Sequence, residues 1–109
     1  MFPNGETYCG QHPFSEKETQ AMKSLVEMKS KNLRYYISFH SYGQYIILPS
    51  PKSTYYNSNR KLQEMCERAA RQIYRRYRTR YYVGTTLATV GYEAAGVSAF
   101  WVKRAFDIP

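Results

Sequence analysis

The sequence predicts an α/β protein in which helices alternate with strands. Two runs rich in β-forming residues, 33–39 and 45–48, lie between a first helical segment and a second, longer one. Such alternation is typical of layered architectures, in which helices cover the faces of a sheet. At 109 residues, the chain is long enough for one small domain and too short for two.

The first helix is predicted to begin at Ser15 and to end near Ser30. Ser15 and Glu18 have the spacing of a capping box, in which each side chain accepts a hydrogen bond from the backbone amide of the other. Phe14 precedes this cap as half of a hydrophobic staple. Apolar residues then recur at three- and four-residue steps, which is the period of a helix with one buried face.

The second helix has the clearest pattern in the chain, and it can be capped by residues 57–59, Asn-Ser-Asn. Its apolar residues follow helical steps and form a single stripe. They are Leu62, Met65, Cys66, Ala69, Ala70, Ile73 and Tyr77. Cys66 on this stripe is interpreted as a buried free thiol. Cys9, in a glycine-flanked turn, could pair with a cysteine elsewhere, and the sequence leaves that open.

The two β-rich runs predict two strands with different ends. Residues 36–39 are almost continuously bulky, so the first strand is expected to be covered on both faces. It ends at His40, and Gly43 allows a tight bend shortly after. The second strand stops at Pro49, because proline cannot donate a hydrogen bond to a sheet. Beyond Arg80 the sequence is small and glycine-rich, with few periodic cues.

The chain is strongly basic, with a formal net charge of +8. Residues 60–80 contain eight Lys and Arg against two Glu, a local excess of six. This segment interleaves arginine with tyrosine, which would suit a nucleic-acid partner. The alternative is the solvated outer face of an amphipathic helix. The second interpretation is favoured, since the apolar stripe is complete and no nucleic-acid motif accompanies it. No nucleic-acid partner is therefore expected.

Membrane association is not expected either, because no stretch approaches the roughly 20 apolar residues of a membrane-spanning helix. The first residues also lack the basic start and apolar run of a secretory signal.

His40 is the main candidate for chemistry. A histidine at the carboxyl end of a buried strand lies where open α/β sheets place ligands. On its own it is interpreted in favour of a structural imidazole, since a zinc site needs three or four nitrogen, oxygen or sulfur ligands. His12 and Glu16 do not form a His-x-x-Glu pair, so His12 is interpreted as structural.

Five segments in order carry a resemblance to a known family. They are residues 6–8 (Glu-Thr-Tyr), 13–16 (Pro-Phe-Ser-Glu), 36–44 (Tyr-Ile-Ser-Phe-His-Ser-Tyr-Gly-Gln), 47–49 (Ile-Leu-Pro) and 92–96 (Tyr-Glu-Ala-Ala-Gly) followed by Trp101. Together they resemble the C-terminal half of the catalytic domain of the carboxypeptidase A/B family of zinc metallopeptidases. The resemblance implies that residues 1–109 are a fragment of a single catalytic domain. It also implies an incomplete fold, part of a mixed β-sheet flanked by helices.

The resemblance implies an enzyme that removes C-terminal residues from peptides and proteins by means of Zn²⁺. His40 matches the third zinc ligand of the family. The other two ligands, a His-x-x-Glu pair, are expected upstream of residue 1, and the general-base glutamate downstream of Pro109. The resemblance further implies a secreted, monomeric protein whose partners are peptide C-termini.

The resemblance also assigns substrate-binding roles. Ser41 and Tyr42 match residues that line the substrate groove. Tyr92 matches the mobile tyrosine that closes over the C-terminal carboxylate of the peptide. Three small residues fall along the wall of the pocket for the terminal side chain, namely Ala94, Ser98 and Ala99. The alanine at position 99 favours apolar over basic terminal residues.

Several positions depart from the family pattern. Gly91 stands where a bulky apolar residue is usual, Val97 replaces the second glycine of a Gly-Gly pair, and Phe100 replaces an aspartate. These departures leave open a catalytically impaired or non-catalytic relative that acts as a binding protein. A basic nucleic-acid module remains the third and least favoured hypothesis.

Overall fold

The structure is a computed structural model that describes residues 10–49, 60–92, 94 and 96–109. Its elements, in chain order, are α1 (Lys17–Lys29), β1 (Tyr45–Ile47), α2 (Arg60–Tyr77), β2 (Tyr82–Gly84), α3 (Thr86–Val90) and α4 (Ser98–Phe106). The two strands pair in parallel, with Tyr45 opposite Tyr82 and Ile47 opposite Gly84. A parallel pair needs a long crossover, which here contains α2. The predicted incomplete α/β fold is confirmed.

The strand predicted at 45–48 and the second helix are both found. Leu48 N–H donates to the Gly84 carbonyl at 2.8 Å, so the ladder continues to the residue before Pro49. The predicted caps of α2, residues 57–59, lie outside the described residues. Along the apolar stripe Cys66 is half-buried and is a free thiol. Burial raises the pKa of this thiol, and the neighbouring Glu67 raises it further, which keeps it in the unreactive protonated form.

The capping box predicted for α1 is wrong. Glu16 occupies the N-cap position, and the helix begins one residue later, at Lys17. The Ser15 hydroxyl donates to Glu16 Oε1 at 2.8 Å, so the side chain that should cap the helix is held by its neighbour. Phe14 has a positive φ of 59°, and its ring packs edge-on against Trp101 with centroids 4.9 Å apart. A tertiary contact has replaced the predicted staple.

Two elements near the end of the chain carry no clear periodic signal in the sequence. Thr85 caps α3, since its hydroxyl accepts from the Ala88 amide at 3.3 Å. Helix α4 supplies Val102 to the core, where it packs with Val26 of α1 and with Ile108. Half-buried residues surround this cluster, namely Leu33, Tyr36, Trp101 and Phe106. The core therefore joins the first helix to the last.

The strand predicted at 33–39 is not formed in the structure, and its expected burial is wrong. Ile37 is 71% exposed and Phe39 is 92% exposed. A strand needs neighbours on its edges, and the described part of the chain places only Pro109 there, whose carbonyl accepts from Tyr36 N–H at 2.8 Å. Bulky β-formers predict a strand from local preference, but pairing partners decide whether one forms.

No helix among the described residues combines the length and apolar character needed to cross a membrane.

Candidate metal and substrate site

His40 lies at the end of the exposed segment that follows Tyr36. Its ring is exposed, and Nε2 lies 3.0 Å from the Ser38 hydroxyl. A hydroxyl can accept a hydrogen bond, so Nε2–H can donate to Ser38, which leaves the lone pair of the neutral ring on Nδ1. Within the described residues Nδ1 has no hydrogen-bond partner. Nδ1 is therefore the ring atom that remains available to a metal ion.

An imidazole nitrogen is a normal zinc ligand, so His40 fits that role by its chemistry. The rest of the ligand set is missing from the part of the chain that the structure describes, which contains no group of three or more His, Cys, Asp or Glu able to hold a metal ion. The other histidine, His12, has its Nδ1 only 3.1 Å from the Pro13 carbonyl, a local contact at the start of α1. The described residues alone provide one candidate ligand, His40.

The residues after His40 lead into a cavity of about 460 Å³. It is lined by Tyr42, Gly43, Gln44, Tyr45 and Tyr82. Gly43 has a φ of 150°, and a Cβ added there would lie 2.7 Å from the Tyr45 ring. Glycine is therefore required both by the backbone and by the close approach of that ring. Ser41, which precedes Tyr42 in the chain, is exposed. The Ser41–Tyr42 peptide bond is cis.

Tyr45 and Tyr82 were not predicted as site residues. Their rings are brought together by the register of the parallel pair, with centroids 6.4 Å apart. The β-rich run at 45–48 signals a strand, but nothing local in the sequence signals its partner across the intervening helix. Only the crossover through α2 places Tyr82 beside Tyr42.

Tyr92 is exposed and follows the end of α3. Gly91 ends this helix in the left-handed conformation, with a φ of 83°. A Cβ added to Gly91 would meet no atom within 4 Å among the described residues, so the backbone conformation, not lack of space, accounts for glycine here. Tyr92 makes no hydrogen bond or ring contact with another described residue, so the structure does not bring it onto His40.

The three small residues assigned to the pocket wall are half-buried. Ala94 stands between two positions outside the described residues, whereas Ser98 and Ala99 form the start of α4. The Tyr36 hydroxyl donates to Ser98 Oγ at 3.0 Å, in a partly buried contact. Tyr36 is four residues before His40, so this bond joins the start of α4 to the segment that carries the candidate metal ligand.

Comparison with known proteins identifies the family. The whole chain, residues 1–109, matches the family described as zinc carboxypeptidase. This chain belongs to the zinc carboxypeptidase family. The family prediction made from the five ordered segments is confirmed. The roles of individual residues in this zinc carboxypeptidase chain stay predictions.

Curated relatives and a solved structure support the assignment. The chain is 35% identical over 101 residues to carboxypeptidase O of Bos taurus, covering 89% of this chain and 26% of the relative. It is 34% identical over 108 residues to a zinc carboxypeptidase of Simulium vittatum, covering 98% of this chain and 35% of the relative. Rat (Rattus norvegicus) carboxypeptidase B is 33% identical over 100 residues, covering 91% of this chain and 24% of the relative.

The fold is similar to that of bovine thrombin-activatable fibrinolysis inhibitor, solved in complex with tick carboxypeptidase inhibitor. The TM-score is 0.81 at 29% identity, and the match covers 90% of this chain and 33% of that one. The chain thus spans about a quarter to a third of the length of the proteins it matches.

Proposed function

We propose that this chain is part of a catalytic domain that hydrolyses the C-terminal peptide bond of peptides and proteins, with His40 as one ligand of a zinc ion. The observation that carries the proposal is the placement of His40 in a chain of this family: Nε2 is engaged by Ser38 and Nδ1 is open. Three parts of the proposal rest on the resemblance alone. These are the fragment boundaries 1–109, the two zinc ligands upstream, and the glutamate base downstream.

Zinc, when bound, would lower the pKa of a coordinated water towards about 7 and polarise the scissile carbonyl. As a zinc ligand, His40 would need its ring held in a fixed orientation. A hydrogen bond to the non-coordinating nitrogen of a metal-bound histidine sets its tautomer and its direction. Ser38 is in position to make that bond through Nε2.

The substrate would lie along the residues that follow His40. Ser41 and Tyr42 would line the groove, and the exposed ring of Tyr92 would close over the terminal carboxylate. A glycine in the left-handed conformation precedes Tyr92, and the loop beyond includes Gly96, also with a positive φ of 72°. The pocket wall at Ala94, Ser98 and Ala99 carries no charge, so we propose a preference for apolar terminal side chains.

The proposal extends to a secreted, monomeric protein, on the resemblance alone. The alternative is a relative that binds peptide C-termini without cleaving them, and the same experiment distinguishes the two.

The test is release of the C-terminal residue from blocked dipeptides by the full-length protein that carries this chain. We expect release of a terminal phenylalanine or leucine, loss of release with 1,10-phenanthroline, and recovery on addition of zinc. Terminal arginine should be released more slowly, because Ala99 provides no opposite charge. Binding of zinc and of the dipeptide without cleavage would establish the alternative. Cleavage that resists the chelator would contradict the proposed mechanism.

A further inference from the structure

Helix α2 carries a row of cations that the family assignment does not use. Lys61, Arg68, Arg71 and Arg75 are spaced seven, three and four residues apart, so they fall within one side of the helix at 3.6 residues per turn. All four are exposed. With a rise of about 1.5 Å per residue, the row is about 21 Å long. Arg78 and Arg80 extend it past the end of the helix. We call these six residues the basic face, namely Lys61, Arg68, Arg71, Arg75, Arg78 and Arg80.

The basic face is turned away from the body of the protein. The opposite side of α2 carries the half-buried residues of the apolar stripe, Leu62, Met65, Cys66 and Ile73. Among the described elements, α2 contacts β2. The cations therefore lie on the solvent side of a helix whose orientation is fixed by its other face.

Carboxylates neutralise little of this charge. Glu67 lies 4.0 Å from Arg71, and Glu64 is engaged by Arg60 at 2.9 Å, beside the face. Among the described residues Lys61, Arg68 and Arg75 form no ion pair. The whole chain has twice as many Lys and Arg as Asp and Glu, 16 against 8, so its net positive charge adds to the potential of the row. A concentrated positive potential attracts anionic partners.

The surroundings of Tyr74 favour one class of anionic ligand for the basic face over another. The guanidinium groups of Arg78 and Arg80 lie 5.8 and 5.5 Å from the centre of its ring. Both distances fall within the roughly 6 Å of a cation–π contact, so the two arginines compete with a nucleic-acid base for this ring. Proteins that bind single-stranded nucleic acid combine a basic groove with free aromatic rings on which bases stack. Tyr77 is exposed, but it belongs to the apolar stripe on the opposite side.

A ligand of the basic face is therefore recognised by a linear series of negative charges, without base stacking. Arginine suits planar or tetrahedral oxyanions, because its fork of N–H donors can bind two oxygens at once. Sulfate esters stay ionised at every physiological pH. A linear polysaccharide with repeated sulfate groups meets these requirements along an exposed, convex helix.

We infer that the basic face of α2 binds a sulfated polysaccharide. This site is separate from the proposed metal and substrate site, and its test does not depend on peptidase activity. Clusters of lysine and arginine are typical of heparin-binding patches as well as of nucleic-acid sites.

The test uses the full-length protein and a heparin octasaccharide. The test variant is the triple substitution Arg68→Gln, Arg71→Gln and Arg75→Gln. Its matched control is Lys17→Gln, Lys29→Gln and Lys31→Gln, which removes the same charge from exposed positions outside α2. We expect the arginine triple to bind about 10-fold more weakly and to lower the slope of log Kd against log[NaCl] by about two to three, while the lysine triple changes Kd little. Far-UV circular dichroism checks that both variants fold.

A second measurement separates specific binding from general cation exchange. The wild-type protein should elute from heparin resin at higher NaCl than from a sulfopropyl resin. Equal elution from both resins, or equal weakening in the two triples, would overturn the inference. Tighter binding of a single-stranded RNA than of the octasaccharide would overturn it in favour of a nucleic-acid partner.

Discussion

Replacement of His40 by alanine is expected to remove zinc from the full-length protein and to lower kcat/KM by at least about 1,000-fold. A bound metal contributes several kcal/mol of transition-state stabilisation, and each 1.4 kcal/mol corresponds to a factor of ten in rate. The chain offers a matched control, since it has only one other histidine, His12. His12→Ala should retain zinc and activity. The measurements are zinc content by atomic absorption and hydrolysis of a blocked dipeptide.

Ser38 provides a graded version of the same experiment. Ser38→Ala removes the hydroxyl that lies 3.0 Å from His40 Nε2 and leaves the ligand in place. Loss of such a supporting bond lowers metal affinity by about 10- to 100-fold. Ser24→Ala, on the exposed side of α1, is the control. If zinc affinity is the same in both serine variants, Ser38 does not orient the ring.

If His40→Ala keeps its zinc, His40 is not a ligand.

Val102→Ala is expected to destabilise the protein by about 2 kcal/mol. Val102 is 0% exposed and lies at the centre of the cluster that joins α1 to α4. Removal of two methyl groups there loses transfer free energy and leaves a cavity that rigid neighbours fill incompletely. The start of α4 also carries Ser98 and Ala99, so a looser core should weaken substrate binding as well.

The control for Val102 is Val90→Ala. Val90 is 36% exposed at the end of α3, so the same chemical change should alter the free energy of unfolding by less than about 0.5 kcal/mol. Urea denaturation of the full-length protein measures both values. Equal midpoints for the two variants would show that the α1–α4 cluster does not stabilise the domain.

Local signals in the sequence were sufficient for some elements. The three- and four-residue spacing of apolar side chains predicted α2, and a β-rich run ended by Pro49 predicted β1. In both cases the signal lies within a single segment of the sequence. The capping box of α1 was also a local prediction, and it failed because Ser15 binds Glu16 and Phe14 packs against Trp101, 87 residues away in the chain.

Other elements depend on contacts that the sequence does not encode locally. The run at 33–39 has strand-forming residues, but strand formation requires neighbouring strands, and the described structure places only Pro109 beside it. The pairing of Tyr45 with Tyr82 is set by the length and packing of α2. Helix α4 begins in a glycine-rich stretch with no cap signal, since Val97 at its N-cap provides no side-chain hydrogen bond.

The sequence also predicted some features of the candidate site and not others. The ordered segments, including the run around His40, were sufficient to assign the family, which is confirmed over the whole chain. Residue roles came from the resemblance alone, and they stay predictions. The Tyr36–Ser98 hydrogen bond and the tyrosine-lined cavity could not be predicted, because both join segments that are distant in sequence.

Zinc-edge anomalous diffraction from crystals of the full-length protein tests whether His40 is a zinc ligand. We expect an anomalous peak about 2.1 Å from Nδ1 of His40, with Nε2 still bonded to Ser38. A zinc peak on other residues, with His40 out of coordination distance, would contradict it.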